Sequence, residues 1–232
     1  MKGELYDFYI LHHKKYKENS LLVSIFTRDF GKLTAIIRVS KKQTNIFQPL
    51  VHLRGEISIA KKESSLSRVY NIDFVEMFYK QSYINLLSLQ YMNELMYILL
   101  NYSYQDDVLF DKYDFILRNI SDDNYRHLLR IFELQILESL GQGIYVDVDT
   151  NSEGIIQDDY YQMVNFDFRK SHANASNSIK GSTLTKINSS PLTWGKYDLR
   201  VISGIIRINI DRVLSGKKLQ SRKLLMDYLN LN

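Results

Sequence analysis

Apolar and polar residues alternate through the first eighty positions of this chain, and beyond Ser82 the period lengthens to three and four residues. Residues 5–13 (LYDFYILHH) and 20–27 (SLLVSIFT) have the β-branched and aromatic content of strands, and the basic stretch Lys14 to Asn19 between them reads as a loop. A hairpin turn at Arg28-Asp29-Phe30-Gly31, with glycine available for positive φ, leads into a third strand over 32–40. Two further alternating runs, 53–61 and 68–77, follow a polar loop and Pro49. Five strands with no helix long enough to make a crossover fit a small Greek-key barrel such as an OB-fold, with an SH3-like barrel as the alternative.

The helical period begins with Ile84, Leu87, Leu89, Tyr91, Leu95, Ile98 and Leu99, which predict an amphipathic helix over 82–102. A second starts at the acidic pair Asp106-Asp107 and runs to Ile120, and a third starts at Ser121 or Asp122 and stops at Gly141 and Gly143. Short links between the three predict a compact bundle. Residues 144–190 differ, with an acidic turn (Asp147 to Gly154), an aromatic run that suggests a hairpin (Tyr160, Tyr161, Phe166, Phe168), and a polar tract that predicts a mobile loop. Helical pattern returns at 196–214 and 219–229, broken at Ser215-Gly216. The reading is α+β: a five-stranded barrel over 1–80, then a mainly helical domain over 81–232 with a small loop-rich insertion near 144–190.

Charge changes the picture more than composition does. Residues 1–80 hold 14 Lys and Arg against 8 Asp and Glu, 81–205 hold 10 against 16, and 206–232 hold 6 against 2. A basic β-module joined to an acidic helical one suggests one surface for a polyanion and another for protein contacts. Lys14, Lys15 and Lys17 in the first loop, Arg28 and Lys32 about the hairpin turn, and Arg38, Lys41 and Lys42 after the third strand are the candidate phosphate contacts. Tyr16, Phe30 and Phe47 lie among them as candidate base-stacking rings. The alternative is a solvated surface over core aromatics.

Little supports catalysis. The chain has no cysteine, which removes disulfides, thiolate metal sites and a cysteine nucleophile together. Its 5 histidines fall in no metal-ligand or nucleophile motif, and paired acids such as Asp106/Asp107 and Asp122/Asp123 are explained by helix capping. No cofactor is expected. No apolar run has the length of a signal sequence or a membrane span, so the reading is soluble and cytoplasmic.

Four segments resemble the RecO family of bacterial DNA repair and recombination proteins, in order. They are Leu11-His12-His13 through Gly31-Lys32-Leu33; Gln48-Pro49; Phe132 to Gly143 with its closing Gly-x-Gly; and Leu214-Ser215-Gly216-Lys217-Lys218-Leu219-Gln220-Ser221-Arg222. The resemblance implies an OB-fold first domain and a non-enzymatic recombination mediator. It implies binding of single- and double-stranded DNA, annealing of complementary strands, and engagement of the acidic tail of single-stranded DNA-binding protein. Action with RecR to load RecA and a nucleoid-associated place in the cytoplasm are implied as well. It points to Arg130, just before the Phe132-Glu133-Leu134 segment, as the residue receiving that tail; the bland alternative pairs Arg130 with Glu133 or Glu94. Many relatives carry a four-cysteine zinc site after the Gly-x-Gly, which this chain lacks. Two rival classes remain, an OB-fold adaptor that binds proteins without touching nucleic acid, and a metal-dependent nuclease.

Overall fold

Strand β1 (Leu5–Lys17) runs through the barrel wall and beyond it as one arm of a long hairpin with β2 (Ser20–Thr27). With β3 (Gly31–Arg38), β4 (Val51–Ser58) and β5 (Ser67–Met77) it closes a barrel in the order β1-β2-β3-β5-β4. β4 pairs back onto β1, and β3 meets β5 in parallel. This is the expected OB-fold, and closure pairs each wall strand on both sides within the barrel. The computed structural model describes residues 3–39, 44–60, 66–79 and 81–231.

Alternation places Phe8, Ile10, Val23, Ile25, Leu33, Ala35, Ile37 and Val69 inside the barrel with Phe47, Val51 and Leu53. Tyr9 and Phe26 point the other way and are fully buried too. Phe110 lies 5.6 Å from each ring, and Tyr113 meets Tyr9 edge-on at 5.1 Å. The continuous apolar run Phe8 to Leu11 is thus a strand covered on both faces.

The helices are α1 (Tyr83–Leu99), α2 (Asp107–Asn119), α3 (Tyr125–Ser139), the single turn α4 (Gly181–Leu184), α5 (Lys196–Leu214) and α6 (Gln220–Leu231). The chain forms two compact units, Met1–Asp122 with Lys218–Asn232, and Asp123–Lys217. The first holds the barrel, α1, α2 and α6; the second holds α3 to α5. The three helices read as one bundle are therefore divided between units, because the outward aromatics of β1 and β2 take α2 as their cover. α6 is fastened to α1 by Glu94, whose carboxylate accepts from the backbone N–H of Gln220 (3.0 Å) and Ser221 (2.9 Å) at the helix start.

Local corrections have physical causes. Lys14 to Lys17 are strand, not loop: Lys14 pairs with Leu22, Lys15 with Leu21 and Lys17 with Ser20, leaving only a tight turn. α3 starts at Tyr125, not at Ser121 or Asp122, because Asp122 serves α1 instead. It accepts from Asn85 Nδ2 at 2.9 Å and from the Ser82 hydroxyl.

In the second unit the aromatic run does form a hairpin, β6 (Tyr160–Val164) with β7 (Asp167–Ser171), turning on Asn165 and Phe166, both at positive φ. The polar tract expected as a mobile loop instead carries the short strand β8 (Ile179–Lys180), α4, and buried Leu184 and Ile187, with buried Trp194 just beyond it. Its few apolar residues are spaced to reach one core, and Trp194 Nε1 donates to the Lys186 carbonyl at 2.9 Å.

Candidate nucleic-acid interface

The register of the barrel decides which cations meet. On its outer face Lys17 is opposite Ser20, Ser20 opposite Arg38, and Ile36, two residues from Arg38, opposite Arg68. Cross-strand partners share a face. A row of cations therefore crosses four strands, about 15 Å at the usual strand spacing. Lys14, opposite Leu22, shares this face, while Lys15, opposite Leu21, lies on the inward face of the hairpin; both are exposed. Tyr16, Lys17, Ser20, Ile36, Arg38, Arg68, Val69 and Tyr70 line a concavity of about 450 Å³. Tyr16 is 44% and Tyr70 47% exposed, and the Lys17 ammonium lies over the Tyr16 ring at 5.5 Å, so two exposed rings stand beside the cations. Among the described residues none of Lys14, Lys15, Lys17, Arg38 and Arg68 enters an ion pair. Glu56 and Asp73, on an adjoining concavity, bound the face on its acidic side.

Two predicted contacts lie elsewhere and are otherwise engaged. Arg28 and Lys32 sit at the far end of β2 and the near end of β3, roughly 20 to 25 Å along the strands from Ser20 and Arg38. Arg28 forms a two-pronged pair with Asp111 (3.0 and 2.9 Å), which with its charge holds the guanidinium above its ordinary pKa. Lys32 is 4% exposed. Its Nζ donates to the carbonyls of Tyr97 (2.5 Å) and Leu100 (3.0 Å), which the end of α1 leaves unpaired. Lys32 is a structural lysine and not a phosphate contact. Lys41 and Lys42 lie outside the described residues.

The candidate rings sort the same way. Phe47 is buried in the barrel, and Phe30 packs edge-on against Tyr6 at 4.7 Å; only Tyr16 remains open. Arg68 and Tyr70 were missed by the sequence reading. The parallel β3–β5 pairing that brings them beside Arg38 joins segments thirty residues apart, and the run of Lys61, Lys62 and Arg68 was the only local sign.

Other barrel cations are consumed in a network against α2. Asp7 accepts from Arg54 (2.9 and 3.0 Å) and lies 2.8 Å from His52 Nε2. His52 Nδ1 lies 3.0 Å from Arg118. A guanidinium only donates, so Nδ1 accepts and Nε2 carries the proton towards Asp7. Arg118 also grips Asp114 (2.8 and 2.9 Å), which accepts from the Tyr9 hydroxyl, and pairs with Glu76. Burial pushes both carboxyls up, but hydrogen bonds from Arg54 and His52 to Asp7, and from Arg118 and Tyr9 to Asp114, outweigh it and leave each below its usual value.

In the second unit Arg130 Nε lies 2.7 Å from Glu133 Oε2, an i,i+3 pair with Glu133 buried. Arg130 is therefore committed on one edge to its own helix. No grouping of three or more His, Asp or Glu side chains suited to a metal occurs among the described residues. The four-cysteine zinc site of many relatives does not fit a chain without cysteine. Here the Asp147 to Gly154 turn is held by Asp149, which accepts from the N–H groups of Asn151 (2.8 Å) and Glu153 (3.1 Å), over buried Val146, Tyr161 and Phe168.

A closed five-stranded barrel leading into helices, with exposed cations gathered at one end, defines an OB-fold protein. Comparison with known proteins narrows this. Residues 1–78 match the model for "Recombination protein O N terminal" and residues 80–222 that for "Recombination protein O C terminal". The chain is 62% identical over 228 residues to the DNA repair protein RecO of Francisella tularensis subsp. novicida, and 58% identical to that of Francisella philomiragia, with 98% of each chain covered in both comparisons. It is 27% identical to RecO of Pseudoalteromonas atlantica over 97% of its length and 95% of the relative's. The chain belongs to the RecO family of DNA repair proteins. The family models meet at 78 and 80, whereas compactness joins α1, α2 and α6 to the barrel. No helix among the described residues is long and apolar enough to cross a membrane.

The acid network carries a prediction. A carboxylate whose folded pKa is depressed adds stability above its unfolded value, near 4, and loses it as pH falls through that value towards the folded one. Asp114→Asn should lower stability at pH 7 by about 1–3 kcal/mol, and should flatten the fall of the parent between roughly pH 5 and 3. Urea titrations across that range check it, and parallel curves would contradict the assignment.

Proposed function

We propose that this chain binds single- and double-stranded DNA on the outer face of β1, β2, β3 and β5 and anneals complementary strands without making or breaking a bond. The observation that carries the reading is the row Lys17, Arg38 and Arg68, in no ion pair among the described residues, around an open concavity with Tyr16 and Tyr70 beside it. Cations in this arrangement release counterions from phosphates whatever the base sequence, and the two tyrosines stack on any base. Screening two backbones at once lets complementary strands approach. The family membership extends this to mediation in the cytoplasm: with RecR and single-stranded DNA-binding protein, the chain assists RecA loading at the nucleoid.

Replacing Lys17, Arg38 and Arg68 together by alanine should weaken binding of a fluorescent oligonucleotide and reduce the slope of log affinity against log salt by about 2, at roughly 0.7 per lost single-strand phosphate contact. Arg28→Ala should leave the slope as it was. An unchanged slope in the triple variant, read by anisotropy, overturns the face, whereas a parent that does not bind the oligonucleotide at all favours a protein-binding adaptor.

Arg130 is the proposed receiver of the acidic tail of single-stranded DNA-binding protein. Glu133 takes its Nε edge, and a guanidinium has a second edge for a carboxylate. Alanine there would remove a charge beside the buried Glu133, so Arg130→Lys is the cleaner change. It keeps a charge for Glu133 but loses the fork, and should weaken a short acidic, Phe-ending peptide about tenfold by calorimetry, near 1.4 kcal/mol. Equal affinity would place the tail site elsewhere.

A further inference from the structure

The outer face of the barrel continues from the cations into a group of exposed rings that the reading above does not use. His12 lies on β1 two residues before Lys14, opposite Ser24 on β2 and on the same face. Its ring stacks on Tyr97 of α1, with centroids 4.7 Å apart and planes 21° from parallel. The ammonium of Lys32 lies 5.2 Å from the centroid of that ring and 4.9 Å from that of Tyr102. Tyr97 is 36%, Tyr102 60% and Tyr104 53% exposed. His12, Tyr97 and Tyr102 are thus joined through direct stacking and a shared cation, with most of the Tyr102 ring turned to solvent, and Tyr104 follows two residues on.

The backbone that carries Tyr102 and Tyr104 is held in place. Tyr102 makes a parallel bridge to Lys32, and Ser103 N–H donates to the Lys32 carbonyl at 2.8 Å, so the segment after α1 is pinned to the start of β3. Gly31 completes the fit: it has φ +64°, and a Cβ there would stand 1.9 Å from the Tyr104 carbonyl oxygen. Close approach of the backbones is possible only with glycine. The acids next in sequence are already engaged, Asp106 by the Leu109 N–H and Asp107 near Arg28 at 4.0 Å. What remains is a preordered aromatic ledge over a buried positive charge, at the end of a face whose other end is cationic. A held backbone lowers the ordering cost of binding, and a cation beside the rings of Tyr97 and Tyr102 favours an anionic polymer.

We propose that His12, Tyr97, Tyr102 and Tyr104 form a base-stacking ledge for single-stranded DNA, continuing the strand held by Lys17, Arg38 and Arg68. This rests on the DNA-binding reading above. From Lys32 to Arg38 the face runs about 20 Å along β3, so one strand lies with its phosphates at the cationic end and its bases on the rings at the other. Burial, with His13 and Lys14 nearby, lowers the pKa of His12, which favours its neutral ring on Tyr97.

The test compares oligo-dT with an abasic oligonucleotide of equal length, by anisotropy over a salt series, for the parent, Tyr102→Ala with Tyr104→Ala, and Tyr102→Phe with Tyr104→Phe. The alanine pair should lose roughly five- to a hundredfold in oligo-dT affinity, as expected for one lost stacked base or more. Its salt slope and its abasic affinity should stay at the parental values, and the phenylalanine pair should bind as the parent does. Equal oligo-dT affinity in the alanine pair and the parent overturns the ledge, as does a parent that binds both oligonucleotides alike. Either failure leaves the salt slope of the cationic row intact, whereas failure of the DNA-binding reading removes that slope from the parent itself.

Discussion

The pairing of β1 with β2 and of β2 with β3 is the constraint on which the rest depends. Fixed by Val23 and Ile25 in the barrel core, it puts Lys17, Ser20 and Arg38 in one outward line. A slip of one residue would turn every side chain of a strand to the opposite face, burying cations and exposing the apolar set. The hydrophobic core therefore sets the electrostatic face, and no feature of the cations themselves is needed to align them. The parallel contact of β3 with β5 then adds Arg68 and Tyr70 to a line begun elsewhere in sequence.

Cations in this barrel fall into two populations with different physics. Arg28, Arg54 and Arg118 are forked onto aspartates, and Lys32 closes the end of α1. Each is satisfied by fixed acceptors, and drawing one away would leave its acceptors unpaired. Lys14, Lys17, Arg38 and Arg68 stand in water among the described residues, where exchanging counterions for phosphates costs little order. This division, and not the count of basic residues, marks the face proposed to handle a polyanion. It also explains why the acidic helix α2 does not cancel that face: Asp111 and Asp114 are spent on Arg28 and Arg118 at the other end of the strands.

Much of the fold was legible because burial writes itself into periodicity. Five strands and the five longer helices were read from steps of two and of three to four, and the family resemblance followed their order. The hairpin arm was misread because Lys14 to Lys17 extend past the barrel, where neither face is buried and alternation has no cause. The start of α3 was misplaced because Asp122 caps at a distance, serving Ser82 and Asn85. The candidate site was half legible. Within the proposed face, lysines near the β1–β2 turn and Arg38 stand out from clustering alone. Arg28 and Lys32 looked equivalent to them, since the acids and carbonyls that hold them come from α1 and α2, sixty or more residues away.

The central claim, that one end of the barrel meets the DNA backbone, is tested most directly by lysine acetylation read by mass spectrometry, with and without a saturating single-stranded oligonucleotide. The account predicts strong protection of Lys14 and Lys17, with Lys196 on α5 acetylated equally in both conditions. Lys14 and Lys17 reacting equally with and without the oligonucleotide, or uniform protection of all exposed lysines, would contradict it.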